Sequence, residues 1–138
     1  MPTAFIDTNY LTALLYPRDT LHQKANEVSQ QLNGYSFVTT ELIFAETLNG
    51  LADKGHQIRL AAVSTVMALR NRLDTRVFPQ TSELFGRAFD HYRARPDKSW
   101  GLVDCASFII MDEQGITEAL THDRHFQQAG YKALLRDD

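Results

Sequence analysis

"TAFIDTNYLTALLY", residues 3–16, decides the fold class. TAFI (3–6) is a short apolar run of strand character, and NYLTALLY (9–16) carries apolar residues at helical spacing. Asp7 stands at the joint. Pro17 stops the helix, because proline disfavours helical backbone in the residue before it. A strand that hands directly to a helix is the building unit of α/β folds.

The same unit recurs outward from this stretch. TLHQKANEVSQQL (20–32) reads as an amphipathic helix with Leu21, Ala25, Val28 and Leu32 on one face, ended by Asn33-Gly34. YSFVTT (35–40) is aromatic and β-branched, the composition of a strand. Helices are expected over 41–55, with Thr40 as N-cap and Gly55 past the end, and over 57–73. TRVFP (75–79) is a third strand, followed by a helix over 82–94 and the loop RPDKSWG (95–101). A helix over 102–114 stops at Gly115. ITEAL (116–120) is the fourth strand, RHFQQAG (124–130) a helix, and KALL (132–135) the last strand. The alternation predicts one domain over residues 1–138, with a parallel sheet covered by helices on both faces. In such sheets sites form beyond the carboxyl ends of the strands.

The chain has 138 residues, enough for one sizeable core, and its 43% hydrophobic and 22% charged content places it among soluble globular chains. The net charge of −3 argues against a general basic coat for nucleic acid, yet permits a local basic path over an acidic site. A single cysteine rules out an intrachain disulfide and zinc-ribbon spacing, and fits the cytosol. MPTAFID lacks the basic and apolar regions of a signal peptide, and no apolar run approaches the ~20 residues that span a bilayer.

Chemistry is expected at four acids. GLVDCASFIIM (101–111) is apolar almost all round, which puts its helix in the core, yet Asp104 sits inside it. Asp7 ends the first strand, Asp123 follows the fourth, and Glu46 lies on the helix leaving the second. Structural alternatives stand beside each. Asp7 and Asp123 can cap the helices they precede, Glu46 can pair with Lys54 or an arginine, and Asp104 can be neutralised by Arg93 or Arg95. Together, however, the four would meet over one end of the sheet, where their mutual repulsion makes sense if a cation neutralises it. An all-oxygen set without clustered Cys or paired His suits Mg²⁺ or Mn²⁺. Calcium is disfavoured because no EF-hand-like loop is present. Two ions about 4 Å apart would suit phosphodiester cleavage.

The order Asp7, Glu46, Asp104, Asp123 resembles the acidic quartet of PIN-domain ribonucleases, and more narrowly that of the VapC-like toxins of bacterial toxin–antitoxin pairs. The resemblance is carried by FIDTNYLTALL (5–15), TTELIFAETLNGL (39–51), SWGLVDCASFIIM (99–111) and ALTHDRHFQQAGYKALL (119–135), nearly the whole chain. The last block, a strand, T-x-D-x-x-F, A-G-aromatic and a closing strand, is the most specific. The resemblance implies a three-layer α/β/α sandwich with a five-stranded, mainly parallel sheet. It also implies metal-dependent endonucleolytic cleavage of RNA, often tRNA or rRNA. Asp7 and Asp104 would be the principal ligands of Mg²⁺ or Mn²⁺, completed by Glu46 and Asp123. Thr8 matches the hydroxyl that follows the first Asp and would steady it. Val103 departs from the Ser or Thr that relatives often carry before the third acid. An antitoxin partner is implied, as is a homodimer, for which the apolar helices between residues 41 and 73 offer a surface.

Around the quartet, Arg93, Arg95 and Lys98 form a candidate phosphate clamp, with Trp100 as a stacking platform, against the alternative of a solvated loop with its Trp in the core. Arg124 is a further candidate for phosphate, or an exposed first-turn residue. His122 and His125 read as neighbours of Asp123 rather than as a zinc pair, and Cys105 as a buried thiol rather than a nucleophile. Glu41 reads as a first-turn acid favoured by its helix's dipole, and Asp97 as part of a loop turn. Two other functions compete with the nuclease. A haloacid-dehalogenase-type phosphatase also has an Asp after its first strand, but wants a second Asp where Asn9 stands. A non-catalytic module would receive basic partner segments in the acidic basin.

Overall fold

The computed structural model describes residues 2–138; Met1 of the expected 1–138 domain lies outside them. In chain order the elements are β1 (Thr3–Ile6), α1 (Thr8–Leu15), α2 (His22–Ser29), β2 (Ser36–Thr40), α3 (Glu41–Gly50), α4 (His56–Asn71), β3 (Thr75–Phe78), α5 (Ser82–Ala94), α6 (Leu102–Gln114), β4 (Glu118–Leu120), α7 (Arg124–Gln128) and β5 (Lys132–Ala133). The strands form one sheet in the order β3-β2-β1-β4-β5, and every pairing is parallel.

The connectivity explains the layers. From β1 the chain steps through β2 to β3, then crosses back over β1 to β4 and β5. Crossovers of one hand put the helices of these two journeys on opposite faces. Accordingly α1 packs on α2, α3 and α4, while α6 packs on α5 and α7. This is the expected α/β/α sandwich, with a sheet that is wholly rather than mainly parallel. The direction of travel reverses between β1 and β4, and a crevice opens at the carboxyl ends of those two strands.

The core forms where apolar residues from both layers meet the central strands. Ala4, Phe5 and Ile6 of β1 are buried, as are Leu11 and Ile43 on one side and Cys105, Phe108, Met111 and Phe126 on the other. Phe108 meets the rings of Phe126 and Trp100 edge-on, at 5.0 and 5.1 Å. Thr40 caps α3 by accepting from the Ile43 amide, and Gly115 (φ 67°) closes α6 in the left-handed conformation.

Element ends differ from expectation in a few places. The helix expected to run to Gly55 stops at Gly50, with Leu51 as its C-cap, buried at 1% exposure in a pocket lined by α3 and α4 residues. The helix expected over 20–32 is limited to 22–29; a side-chain bond from the Leu21 amide to Asp19 closes a turn before it. The fourth strand begins at Glu118 rather than Ile116. The last spans only Lys132–Ala133, although the Leu134 and Leu135 amides still bond to the Ala119 and Thr121 carbonyls.

Candidate active site

The site begins at the register of the central strands. Ile6 pairs with Leu120, so the next residues along, Asp7 and Thr121, leave β1 and β4 side by side. The Thr121 hydroxyl donates to Asp7 Oδ2 at 2.7 Å. Asp7 is 6% exposed, and burial pushes its carboxyl up to about 7; the charges of Asp104 and Glu46 push the same way, and hydrogen bonds from Thr121 and the Thr8 amide oppose them. Asp7 occupies the N-cap position of α1, but its side chain makes no capping bond.

The other three acids arrive from separate elements. Asp104 is the third residue of α6, and its Oδ2 accepts from the Gly101 amide at 3.0 Å and from His125 Nδ1 at 3.1 Å. The first of these bonds is the acidic half of a capping box. Burial raises the Asp104 carboxyl and the charge of Asp123 adds to this, while Gly101 and His125 oppose it. Glu46 stands on α3, where the Thr8 hydroxyl donates to its Oε1 at 2.5 Å. Asp123 precedes α7 and caps it, accepting from the His125 amide at 2.9 Å.

These residues line one open cleft of about 490 Å³, together with Thr8, Asn9, Thr12, Ser99, Gly101 and His125. A common pattern runs through the acids. Thr121 holds one oxygen of Asp7, Thr8 one of Glu46, Gly101 and His125 one of Asp104, and the His125 amide one of Asp123. The second oxygen of each takes no side-chain hydrogen bond among the described residues. Such a half-satisfied carboxylate is oriented by the protein and still able to ligate a cation. The oxygen-rich donor set fits a hard divalent ion. Asp104, Asp123 and His125 alone bring three ligand atoms within 4.8 Å of one another.

The structural alternatives separate cleanly. Arg93 and Arg95 do not reach Asp104; they pair with Asp90 and Asp97 at 3.3 and 3.0 Å. Lys54 lies 3.8 Å from Asp53, not beside Glu46. Asp123 does cap its helix, but lines the cleft as well. Asn9, where the phosphatase reading wants an acid, accepts from the His122 amide at 3.2 Å and so holds the β4–α7 loop.

Two expected roles are corrected. Thr8 steadies Glu46 rather than Asp7, and the hydroxyl on Asp7 belongs to Thr121. Trp100 offers no open stacking face. It is 6% exposed, its Nε1 donates to Gln128 at 3.1 Å, and His91 stacks on it at 5.8 Å. Arg95 and Lys98 gather over the same indole, at 5.0 and 5.8 Å. None of Arg93, Arg95, Lys98 and Arg124 lines the cleft; Arg124 is exposed at the start of α7. The residues whose roles sequence reasoning missed are Thr121 and Ser99; His125, expected as a neighbour of Asp123, also bonds to Asp104. Thr121 was visible as the first residue of the T-x-D motif, but its contact with Asp7 depends on the β1–β4 register.

The PIN domain family matches residues 4–131, and the chain belongs to that family. Within it, the chain is similar to the 23S rRNA-specific endonuclease VapC20 of Mycobacterium tuberculosis, from strains CDC 1551 / Oshkosh and ATCC 25618 / H37Rv. The identity is 27% over 128 residues, 92% of this chain and 94% of the relative. The crystal structure of M. tuberculosis VapC20, described as a sarcin–ricin loop cleaving toxin, superposes with a TM-score of 0.81, covering 93% of this chain and 95% of that one at 27% identity. Among the described residues, no helix is long and apolar enough to cross a membrane.

Proposed function

We propose that this chain is a divalent-metal-dependent endoribonuclease acting as the toxin of a toxin–antitoxin pair. The observation that carries this reading is the meeting of Asp7, Glu46, Asp104 and Asp123, from four separate elements, in one cleft at the sheet's crevice. Asp7 and Asp104 are the principal ligands in this reading, with Glu46 and Asp123 completing the set for Mg²⁺ or Mn²⁺. When bound, such an ion supplies Lewis-acid activation of water and neutralisation of phosphate charge.

The chain's own part is orientation. Thr121, Thr8, the Gly101 amide and His125 each hold one carboxylate oxygen still, so the acids need little reorganisation when cation and substrate arrive. Arg124, exposed one residue after Asp123, is the nearest candidate in sequence to meet the RNA backbone, with Lys98 and Arg95 on the loop before α6 and Arg93 in the last turn of α5. Ribosomal RNA is the substrate class proposed, on the strength of the likeness to VapC20. A single buried thiol, Cys105, accords with work in the cytosol. A homodimer is proposed through α3 and α4, which leave Leu48, Leu60, Val63 and Met67 exposed.

Expression of the chain should halt bacterial growth and produce a discrete new 5′ end in one cellular RNA. The purified protein should make the same cut with Mg²⁺ or Mn²⁺ and lose it in excess EDTA. Cleavage that persists in EDTA would exclude the metal-dependent reading.

A further inference from the structure

His125 lies between two of the four acids. Its Nδ1 is 3.1 Å from Asp104 Oδ2 and 3.3 Å from Asp123 Oδ1, and its Nε2 is 3.2 Å from the Ser99 hydroxyl. We propose that His125, anchored by Ser99, is a positioning residue that fixes which oxygen of Asp104 faces the cation. The proposal rests on the metal-dependent reading above.

The hydrogen-bond directions follow from the partners. An ionised carboxylate only accepts, so Nδ1 donates to Asp104. Nε2 meets the Ser99 hydroxyl, which can donate to it or accept from it, so this contact does not compete with the donation to Asp104. Asp104 Oδ2 also accepts from the Gly101 amide, so two donors hold it, while Oδ1 takes no hydrogen bond among the described residues. Remove the imidazole and only the Gly101 amide restrains the carboxylate, which is then freer to swing about its terminal bond.

The ring is itself well placed to impose direction. The His125 backbone amide is bound to Asp123 Oδ1, and its neighbour Phe126 is fully buried between Phe5 and Phe108. The imidazole is therefore fixed from its backbone and from its far nitrogen. It also places an N–H between two carboxylates that would otherwise face each other without a donor side chain. Val103, the residue before Asp104, has no hydroxyl to do this. In metal sites, outer partners of this kind set ligand orientation, and their removal costs affinity.

The test measures Mn²⁺ binding to the full chain by calorimetry, with thermal melts in EDTA as the fold control. His125→Phe should weaken Mn²⁺ binding by about 10–100-fold. His125→Asn keeps a donor close to the Nδ1 position and should recover most of the loss. Ser99→Ala, on an exposed loop, should fall between wild type and His125→Phe, and carries the test if the Phe variant does not fold. Asp104→Asn should abolish binding. If His125→Phe or Ser99→Ala binds Mn²⁺ as wild type does while Asp104→Asn does not bind, the positioning role is wrong and the metal reading stands. If wild type binds no Mn²⁺, the metal reading falls and the proposal with it. A nitrogen directly coordinated to Mn²⁺, seen by pulsed electron paramagnetic resonance, would also overturn it by making His125 a ligand. A purely structural role would lower the melting temperature in EDTA and leave the affinity unchanged.

Discussion

Asp7 makes the metal-free protein lose stability as pH rises from the acid range to neutrality. Its carboxyl is pushed from 3.8 to about 7, first by burial. Below pH 3.8 the folded and unfolded chains both keep the proton, and there is no penalty. As pH rises, the unfolded chain releases it and the fold does not, so stability falls until the folded carboxyl also ionises near 7. At 1.36 kcal/mol per tenfold difference in proton affinity, the penalty is about 2 kcal/mol at pH 5 and about 4 kcal/mol at pH 8. That is a large part of the roughly 5–15 kcal/mol by which domains are stable. Asp7→Asn keeps the shape and an acceptor for Thr121, but cannot ionise. In EDTA the variant should be more stable than wild type, with a gap that widens by about 2–3 kcal/mol between pH 5 and pH 8. Urea titrations at both pH values measure it, with an unchanged slope showing that the denatured state is comparable. Saturating Mn²⁺ should then restore wild type, by about 2.7 kcal/mol at 100-fold excess over Kd, and leave Asp7→Asn unmoved. A gap that is the same at both pH values, or a variant less stable than wild type throughout, would refute the reasoning.

Other outcomes follow from single contacts. Thr121→Val removes the chief hydrogen bond that opposes the rise of Asp7, so the onset of Mn²⁺ binding should move to higher pH; calorimetry across pH checks it. Asp123→Ala should cost about 0.5–2 kcal/mol of stability through the lost cap and also weaken Mn²⁺ binding, whereas Asp123→Ser should recover the stability alone. Trp100→Ala should destabilise by about 3–5 kcal/mol, and Trp100→Phe should bind RNA as wild type does. A selective loss of RNA affinity in the folded Phe variant would reinstate Trp100 as a stacking surface.

The architecture was legible because strands and helices in this chain have distinct signatures. SFVTT before ELIFAETLNG, with Thr40 at the joint, signals strand, cap and helix in one continuous stretch (36–50), and the structure follows it. Ends were less legible, as at Leu51, the C-cap of a helix that composition alone would continue. The acids stood out because Asp104 is out of place on an apolar helix and Asp7 ends an apolar strand. Their partners did not stand out. Thr121 meets Asp7 through strand register, and His125 meets Asp104 across a separation of 21 residues. Trp100 was ambiguous for a related reason: an indole beside basic residues looks alike in sequence whether it faces RNA or Phe108.

Thr121 and Asp7 are separated by 114 positions along the chain, yet share one hydrogen bond at the centre of the sheet. During synthesis, the first acid therefore leaves the ribosome long before the strand that completes its surroundings. The cleft cannot be assembled piecemeal: until β4 docks beside β1, Asp7 lacks its hydroxyl partner and Asp123 is not yet in place. A chain broken off before that docking carries the opening acid without the centre it belongs to, so a ribosome that stalls early releases a fragment lacking the complete acidic cleft.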